Sequence, residues 1–270
     1  MRRRAVSIVM PAYNSADYVG ENVARVVEYF YRTGLDGEVI VADDGSTDGT
    51  ANSVVSGPQV TVLRLPHRGK GAALRAAMAT ATGEIRGFTD ADLPYGIEPL
   101  ALALRYVQGR GYHVVIGDRT LPGSTYQSSG LVRSTMSQVA SFAFRTMVTG
   151  GIYDTQCGFK LFRGDVAEEL FRVARIDGFA IDVELIYLAL KYRLDIKRLP
   201  VRLERNAPSS VHVLRDSVHA VRDIATIKVN WARGRYQSPA LTRALEDELA
   251  RDVAESASYL TAADPAHRLP

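Results

Sequence analysis

The sequence predicts an α/β protein with a mainly parallel sheet and helices on both faces. The first observation is that strand and helix patterns alternate through the first half of the chain, as in sheets built from helical crossovers. The second is that polar turns follow successive strands, where such sheets bind ligands. The third is length, since 270 residues can bury a substantial core, as one large domain or as a domain with an appendage.

Apolar runs and helical spacing place the elements of the first half in order. Strands are predicted over residues 6–10, 38–42, 60–65, 85–89 and 113–116. Helices are predicted between them, over residues 15–30, in a short stretch up to residue 54, and over residues 72–82 and 97–107. Ser15 or Asp17 is the predicted N-cap of the first helix, because short polar side chains accept hydrogen bonds from the exposed N–H groups of a helix start.

The second half is less regular. Helices are predicted over residues 131–148, 182–194 and about 210–231, and a strand over residues 196–203. Beyond residue 238 the composition turns to Ala, Asp, Glu and Arg, which predicts one polar helix followed by a disordered tail over residues 261–270.

Composition narrows the class of protein. The chain is 46% hydrophobic and 23% charged, which is typical of a globular protein, and its net charge of +3 gives no reason to expect a nucleic-acid partner. The single cysteine, Cys157, excludes an internal disulfide and fits a reducing compartment. No signal peptide or membrane span is recognised, so we expect a cytoplasmic protein, either free or peripheral at the inner face of the membrane.

Polar turns that follow successive strands carry the candidate chemistry. They are Pro11-Ala12-Tyr13-Asn14, Asp43-Asp44-Gly45-Ser46, Arg68-Gly69-Lys70-Gly71 and Asp90-Ala91-Asp92. Carboxylates gathered at one edge of a sheet repel each other unless a cation neutralises them. A hard divalent ion that carries a nucleoside diphosphate would do so, because Mg²⁺ takes one or two carboxylates plus substrate phosphates.

The order of these motifs resembles the family 2 glycosyltransferases with the GT-A fold, which implies a GT-A catalytic domain over residues 1–205. Three further motifs resemble a narrower group, the polyprenyl- or dolichyl-phosphate sugar synthases, and most closely the dolichyl-phosphate β-glucosyltransferases. These motifs are Gly117-Asp118-Arg119, Asp154-Thr155-Gln156-Cys157-Gly158-Phe159-Lys160 and Phe179-Ala180-Ile181-Asp182-Val183-Glu184-Leu185.

The resemblance implies a nucleotide-sugar donor, with UDP-glucose favoured, and a Mg²⁺ or Mn²⁺ ion. Within the Asp-Ala-Asp turn, Asp90 and Asp92 are the implied metal residues. Asp92 would bind the metal, Asp90 would contact a ribose or a metal-bound water, and Ala91 would line the donor site. Leu93 and Pro94 follow, where relatives often carry a polar residue. The resemblance assigns the rest of the donor site to Pro11, Ala12, Tyr13, Asn14, Asp43, Asp44 and Lys70.

The resemblance also implies residues for a phosphate acceptor, whose oxygen is ionised at neutral pH and needs no general base. Arg119 and Arg133 match positions that would bring the acceptor phosphate to the donor, because arginine suits phosphate well. Asp154 and Lys160 would lie at the same junction. Asp182 and Glu184 fall where relatives with hydroxyl acceptors place the catalytic base. The expected reaction is a single displacement with inversion.

Alternatives stay open for both activity and surroundings. The favoured activity is hexose transfer to polyprenyl phosphate. The others are transfer to a soluble hydroxyl acceptor, with Asp182 or Glu184 as base, and an inactive nucleotide-sugar-binding protein, against which the intact acidic turn argues. Residues 206–236 form an amphipathic segment that predicts contact either with a membrane surface or with the core or a second copy in a homodimer. Residues 237–270 form the polar helix and tail.

Overall fold

The structure, a computed structural model, describes residues 4–124, 151–152, 154–204 and 213–243, with the backbone alone for residues 213–221. The strands are β1 (Val6–Ala12), β2 (Gly37–Asp43), β3 (Val60–Arg64), β4 (Ile85–Phe88), β5 (Val114–Asp118), β6 (Lys160–Arg163) and β7 (Ile196–Pro200). The α-helices are α1 (Val19–Thr33), α2 (Lys70–Thr80), α3 (Pro99–Arg110), α4 (Gly164–Val173), α5 (Ile181–Lys191) and α6 (Val213–Ala232).

The described strands form one sheet in the order β3-β2-β1-β4-β6-β5-β7. All neighbours pair in parallel except β6, which runs antiparallel to both β4 and β5. The predicted α/β class is therefore confirmed. The antiparallel strand was not predicted, because its four residues, Lys-Leu-Phe-Arg, show no period long enough to distinguish a strand. Helix α4 was also missed, although it has a regular apolar face.

Helices cover both faces of the sheet. Buried residues of α1 and α3 pack on one face, and buried residues of α2, α4 and α5 pack on the other. Alternate residues of β1 point to opposite faces, with Val9 on the second and Ile8 on the first. Ile227 in α6 and Tyr236 just after it belong to the second cluster, so this part of the C-terminal segment packs on the catalytic core.

Several predicted boundaries differ from the structure. Helix α1 begins at Val19 with Tyr18 as its N-cap and no side-chain cap, so the prediction of Ser15 or Asp17 as N-cap was wrong. Ser15 instead offers its carbonyl oxygen, which accepts from the N–H groups of Tyr18 and Val19. The strand predicted to residue 203 ends at Pro200. The predicted helix over residues 131–148 and the predicted tail lie outside the described residues.

In the part of the chain that the structure describes, no helix combines the length and the apolar character that crossing a bilayer requires.

Candidate functional site

Strands β1, β2, β4 and β5 end at the same edge of the sheet, which we call the carboxyl edge. Because β6 runs the other way, it begins where its neighbours end, and Lys160 pairs with Phe88 of β4 and Ile116 of β5. Ala12 pairs with Asp43 between β1 and β2. The polar turns predicted from the sequence thus meet at one edge, together with a lysine from a strand that was not predicted.

A chain of four alternating charges lies at the centre of this edge. Lys70, the first residue of α2, donates from Nζ to Asp90 Oδ1 at 2.8 Å and to Asp182 Oδ2 at 3.0 Å. The other oxygen of Asp182 accepts from Lys160 Nζ, which also donates to the carbonyl oxygen of Cys157 at 2.7 Å. The structure therefore connects residues from four predicted motifs in the order Lys160, Asp182, Lys70, Asp90.

Burial makes this chain of charges stiff and strongly coupled. The Lys160 side chain is 0% exposed and that of Asp182 is 3% exposed, whereas Asp90 at the other end is 35% exposed. Burial alone would raise the pKa of Asp182, yet the two ammonium groups hold it below its ordinary value. Burial would lower the pKa of Lys70, but Asp182 and Asp90 raise it. The ring of Phe88 lies 5.6 Å from Lys70 Nζ and 5.2 Å from Lys160 Nζ, so both cations also gain a cation–π contact.

The Asp-Ala-Asp turn is held from two sides. Asn22, buried on α1, donates from Nδ2 to the carbonyl oxygen of Ala91 at 2.9 Å. Gly158 lies directly against Asp90, since a Cβ at position 158 would stand 1.8 Å from Asp90 Oδ2. Leu93 then adopts a φ of 47°, and its N–H group donates to the carbonyl oxygen of Asp90 at 2.9 Å. The turn therefore has little freedom to adjust the direction of its carboxylates.

The two carboxylates of this turn fit a divalent cation. Burial raises the pKa of Asp92, and the negative charge of the nearby Asp90 raises it further. The described residues hold no cluster of three or more His, Cys, Asp or Glu that could bind a metal by itself. Two carboxylate oxygens with substrate phosphates completing the shell are what Mg²⁺ typically accepts.

The loops after β1 and β2 form the end of the edge assigned to the nucleoside. The Asn14 N–H donates to Ser46 Oγ at 2.9 Å, and Asn14 Oδ1 accepts from the Thr47 N–H at 3.0 Å. Asn14 has a φ of 48°, a left-handed conformation that asparagine tolerates better than most residues. Asp43 is buried, and its Oδ1 accepts from the Ser46 N–H at 3.0 Å. Pro11 and Ala12 end strand β1 beside them.

Tyr13 offers an aromatic face beside this loop pair. Its ring stacks on His67 with centroids 4.2 Å apart and an interplanar angle of 19°, and the side chain is 47% exposed. His67 Nδ1 lies 2.9 Å from Asp44 Oδ2, which fixes the imidazole under the phenol. Asp44 itself accepts from the N–H groups of Arg68 and Gly69 at 2.9 and 2.8 Å. Asp44 therefore shapes the loop that leads to Lys70, and its carboxylate is buried there.

Two backbone N–H groups at the start of α2 are used by a neighbouring loop. The N–H groups of Gly71 and Ala72 donate to the carbonyl oxygen of Asp177 at 2.6 and 3.1 Å. The Asp177 carboxylate lies between Arg68 and Arg75, and these ion pairs lower its pKa despite the opposing effect of burial. A Cβ at Gly71 would stand 2.1 Å from the Ile176 carbonyl oxygen. The glycines of the Arg68-Gly69-Lys70-Gly71 turn are thus explained by close packing of a second loop.

Arg119 and Asp154 form a second ion pair at the carboxyl edge. Arg119 Nε and Nη2 donate to the two oxygens of Asp154 at 2.8 and 2.7 Å. Asp118, which is fully buried, fixes this loop by accepting from Arg198 Nε at 2.6 Å and from the Thr120 hydroxyl at 2.6 Å. Arg119 keeps an exposed fraction of 31%, so a ligand can reach it. Arg133, its predicted partner toward a phosphate, lies outside the described residues.

Glu184 points away from the carboxyl edge cluster into a buried network. Its oxygens accept from the N–H groups of Arg175 and Ile176 at 3.0 Å and from the Tyr236 hydroxyl at 2.5 Å. Burial raises the pKa of Glu184, although these three donors oppose that shift. The carboxylate is 0% exposed. Glu184 therefore links α5 to the residues after α6.

Sequence reasoning missed residues that act through packing. Asn22 is the clearest case, and one signal could have found it: it is a polar residue on the apolar face of α1, between Val19 and Val26. Gly158 gave no such signal, because a glycine is informative only once its neighbour in space is known. Tyr236 likewise lies 52 residues from its partner Glu184 in the sequence.

Comparison with known proteins is consistent with this geometry. The profile of Glycosyl transferase family 2 matches residues 7–171. Dolichyl-phosphate beta-glucosyltransferase of Dictyostelium discoideum is 27% identical over 259 residues, which cover 86% of this chain and 76% of that protein.

Solved structures share the fold at lower identity. Mannosyl-3-phosphoglycerate synthase from Rubrobacter xylanophilus has a TM-score of 0.62 and 20% identity, covering 87% of this chain and 77% of that one. Glucosyl-3-phosphoglycerate synthase from Mycobacterium tuberculosis, crystallised with Mn²⁺, UDP-glucose and phosphoglyceric acid, has a TM-score of 0.57 and 22% identity, covering 87% and 81%. The family match spans more than half of the chain, and the chain therefore belongs to glycosyl transferase family 2, as a glycosyltransferase with the GT-A fold.

Proposed function

We propose that this enzyme transfers a hexose, with glucose favoured, from a uridine diphosphate sugar to polyprenyl phosphate, with inversion and with a requirement for Mg²⁺ or Mn²⁺. The observation that carries the proposal is the bonding of the two candidate bases, Asp182 at the carboxyl edge and Glu184 in a buried network away from it. Asp182 is bound by two lysines, and Glu184 by two N–H groups and a hydroxyl. Neither is poised to take a proton from a hydroxyl acceptor, and a phosphate acceptor needs no such base.

The donor fits the remaining groups. Asp90 and Asp92 would hold the cation, which supplies Lewis-acid stabilisation of the departing nucleoside diphosphate when bound. Lys70 lies beside Asp90 and would contact the same diphosphate as a point charge. The exposed Tyr13 ring, together with Asn14 and Asp43 in the loops after β1 and β2, would bind the nucleoside. The Mycobacterium tuberculosis structure with Mn²⁺ and UDP-glucose supports this choice of donor and metal.

The acceptor side rests on Arg119. Asp154 holds two of its nitrogens and so orients the guanidinium plane at the edge of the site. Such an oriented cation would lower the repulsion between an acceptor phosphate and the donor diphosphate. The dolichyl-phosphate glucosyltransferase of Dictyostelium discoideum, by its name, supports a lipid phosphate as that acceptor.

We propose further that the enzyme works at the cytoplasmic face of a membrane, where such a lipid is found. Arg222, Lys228 and Val229 are exposed on α6, and this mixture of basic and apolar side chains supports contact with anionic headgroups. Sedimentation of the full chain with vesicles of anionic and of neutral lipid tests this proposal. Binding to neither kind would contradict it. A homodimer stays a prediction.

One experiment separates the acceptors. Purified protein is incubated with Mn²⁺, UDP-[¹⁴C]glucose and either undecaprenyl phosphate or 3-phosphoglycerate. We expect label in the organic phase, released by mild acid, only with the lipid. The second candidate, a soluble phosphorylated acceptor, is favoured by the solved phosphoglycerate synthases and predicts label in the aqueous phase as a new anionic sugar. Turnover with 3-phosphoglycerate alone would overturn the lipid proposal.

A variant tests the metal assignment. Asp92→Ala should reduce metal-dependent transfer on the order of 10³-fold, because it removes one of two proposed metal ligands from a charge-stabilised transition state. Glu28→Ala, on the exposed face of α1, is the matched control and should keep the wild-type rate. A near-normal rate for Asp92→Ala would remove this residue from the site.

A further inference from the structure

We propose that Lys70 is an internal counter-ion for Asp90, which it leaves when a divalent cation takes that carboxylate. The ammonium group, still tethered to Asp182, then becomes available to the donor diphosphate. The inference rests on the proposed function, because it takes Asp90 and Asp92 as metal ligands. It states which cation neutralises the Asp90 carboxylate before and after the metal ion binds.

The two contacts of Lys70 are unequal, and this inequality decides which one breaks. Lys70 Nζ lies 2.8 Å from Asp90 Oδ1 and 3.0 Å from Asp182 Oδ2. The Asp182 side chain is 3% exposed and has Lys160 as a second cation, whereas the Asp90 side chain is 35% exposed. Water can replace the ammonium at Asp90 but not at Asp182. The contact with Asp90 is therefore the weaker one.

A divalent cation and the Lys70 ammonium group would repel each other if both bound the Asp90 carboxylate. The other oxygen of Asp90 packs against Gly158, so the carboxylate has little room to rotate and offer a separate face to a metal. A divalent cation at Asp90 would then stand within a few ångströms of the ammonium, where like charges repel. Lysine has a flexible four-carbon stem, and Lys70 can relieve the repulsion by moving its Nζ while Asp182 retains it.

Removing the lysine should therefore have opposite effects on two ligands. Lys70→Met removes the competitor at Asp90, so Mn²⁺ alone should bind more tightly, by roughly three- to tenfold. The same change removes the cation that would contact the diphosphate, so UDP at saturating Mn²⁺ should bind more weakly, by about tenfold or more. A purely structural role for Lys70 predicts weaker binding of both ligands.

The experiment uses the full chain. Free Mn²⁺ is measured by electron paramagnetic resonance during titration, and UDP binding by calorimetry. Lys70→Met and Lys70→Gln should both tighten Mn²⁺, and Lys70→Arg should retain the wild-type Mn²⁺ affinity because it keeps the charge. Lys197→Met is the matched control on the edge strand β7, where Nζ lies 4.7 Å from the Tyr106 ring, and it should change neither affinity.

The outcomes distinguish this inference from the proposed function. If wild-type protein binds no Mn²⁺ with or without UDP, the metal site itself fails. If wild type binds Mn²⁺ and Asp92→Asn loses it, while Lys70→Met binds it equally or more weakly, only the inference about Lys70 is overturned. If both neutral variants fail to fold, acetylation of the wild-type protein by acetic anhydride tests the inference instead. Mn²⁺ should raise the labelling of Lys70 relative to that of Lys197. An unchanged ratio of labelling would contradict the proposed release of Lys70 from Asp90.

Discussion

The absence of a side chain at Gly158 determines the geometry of the acidic turn. Its Cα lies so close to Asp90 that a Cβ would stand 1.8 Å from Oδ2. The other oxygen of this carboxylate accepts from Lys70 Nζ at 2.8 Å, so a shift of Asp90 would also alter that contact. A methyl group at position 158 would therefore push the carboxylate away from Lys70 and out of the place where we propose that a cation binds.

We expect Gly158→Ala to weaken Mn²⁺ binding by about tenfold or more, since the energy of a close-packed contact is lost if neighbours must shift. The matched control is Gly109→Ala in α3, where an added Cβ meets nothing within 4 Å. That variant should bind Mn²⁺ normally and gain about 0.5–1 kcal/mol of stability, because alanine favours the helix. Calorimetric Mn²⁺ titration and urea unfolding measure both. Normal Mn²⁺ binding by Gly158→Ala would contradict the argument.

Asp182 is the residue on which the buried charges depend for stability. Asp182→Asn leaves Lys160 and Lys70 without their shared carboxylate, and breaking a buried ion pair costs about 3–5 kcal/mol. Because the folded pKa of Asp182 lies below its ordinary value, its stabilising contribution is present above that value and is lost as the pH falls through the lower, folded pKa.

The free energy of unfolding of wild type should therefore exceed that of Asp182→Asn by a constant amount at pH 5 to 7, taking about 3.9 as the unfolded value. The gap should narrow below about pH 4. Urea unfolding at several pH values measures it. Asp36→Asn, in the partly exposed pair with Arg4, is the control and should change stability by only about 1 kcal/mol or less. A gap that persists unchanged at low pH would place the effect outside the charge of Asp182.

Candidate site residues could be predicted from the sequence where they follow a predicted strand. Asp90, Asp92 and Lys70 each follow a recognisable strand and turn, and a rule about sheet edges brings them together. Asn22 and Gly158 were not predictable in this way, because their roles come from contacts with Ala91 and Asp90 that are 69 and 68 positions away in the sequence. The sequence pattern around a residue does not indicate contacts with residues so far away in the chain.

At the scale of elements, α6 and the turn after it are fastened to α5 by buried polar contacts. The Tyr236 hydroxyl donates to Glu184, and the Tyr192 hydroxyl donates to the carbonyl oxygen of Tyr236 at 2.6 Å. Glu184 is fully buried, so loss of one donor leaves a carboxylate oxygen poorly solvated. The predicted division at residue 205 stays a prediction, yet these contacts tie the two sides together.

Tyr236→Phe should accordingly destabilise the protein by about 1–3 kcal/mol, since it removes a hydrogen-bond donor from a buried charged group. Tyr31→Phe, on α1 with the tyrosine 75% exposed, removes the same hydroxyl in water and should change stability little. Chemical denaturation compares the two. Equal stability of Tyr236→Phe and wild type would show that Glu184 finds another donor.

Elements differed in how far the sequence predicted them. Strands β1 to β5 were recognised because apolar runs end at polar turns, and a strand was also predicted at β7. β6 was not, since its register is set by pairing with β4 and β5 rather than by its own four residues. Prediction also placed the start of α1 too early, because Ser15 and Asp17 are good caps in isolation, yet Ser15 contributes its carbonyl oxygen instead.

At the scale of the whole molecule, ligands that bind the folded state should raise its stability. The two core clusters cover the two faces of the sheet whose carboxyl edge carries the proposed donor site. A nucleotide bound there at 100 times its Kd adds about 2.7 kcal/mol by mass action. We expect UDP with Mn²⁺ to raise Tm by several degrees, and UDP with EDTA to raise it much less. Equal shifts under both conditions would argue against a cation at Asp90 and Asp92.

The overall fold was predictable because alternation of strands and helices is a global pattern that many residues repeat. What the sequence could not provide was the meeting of α2 with the loop before α5, where the Asp177 carbonyl oxygen accepts from the first N–H groups of α2. That contact depends on two segments about a hundred residues apart, and the local sequence of neither segment indicates that it contacts the other.

The contact between the Asp177 carbonyl oxygen and the start of α2 has a consequence for how the proposed donor would bind. Two of the backbone amides at the start of α2, a place where other nucleotide-binding proteins bind phosphate, already donate to Asp177. We therefore expect affinity for the proposed donor to come mainly from side-chain and metal charge. Such attraction is screened by dissolved ions over about 8 Å at 0.15 M. The apparent Kd for UDP should therefore climb steeply as potassium chloride is added, which makes this enzyme sensitive to the ionic strength of its surroundings.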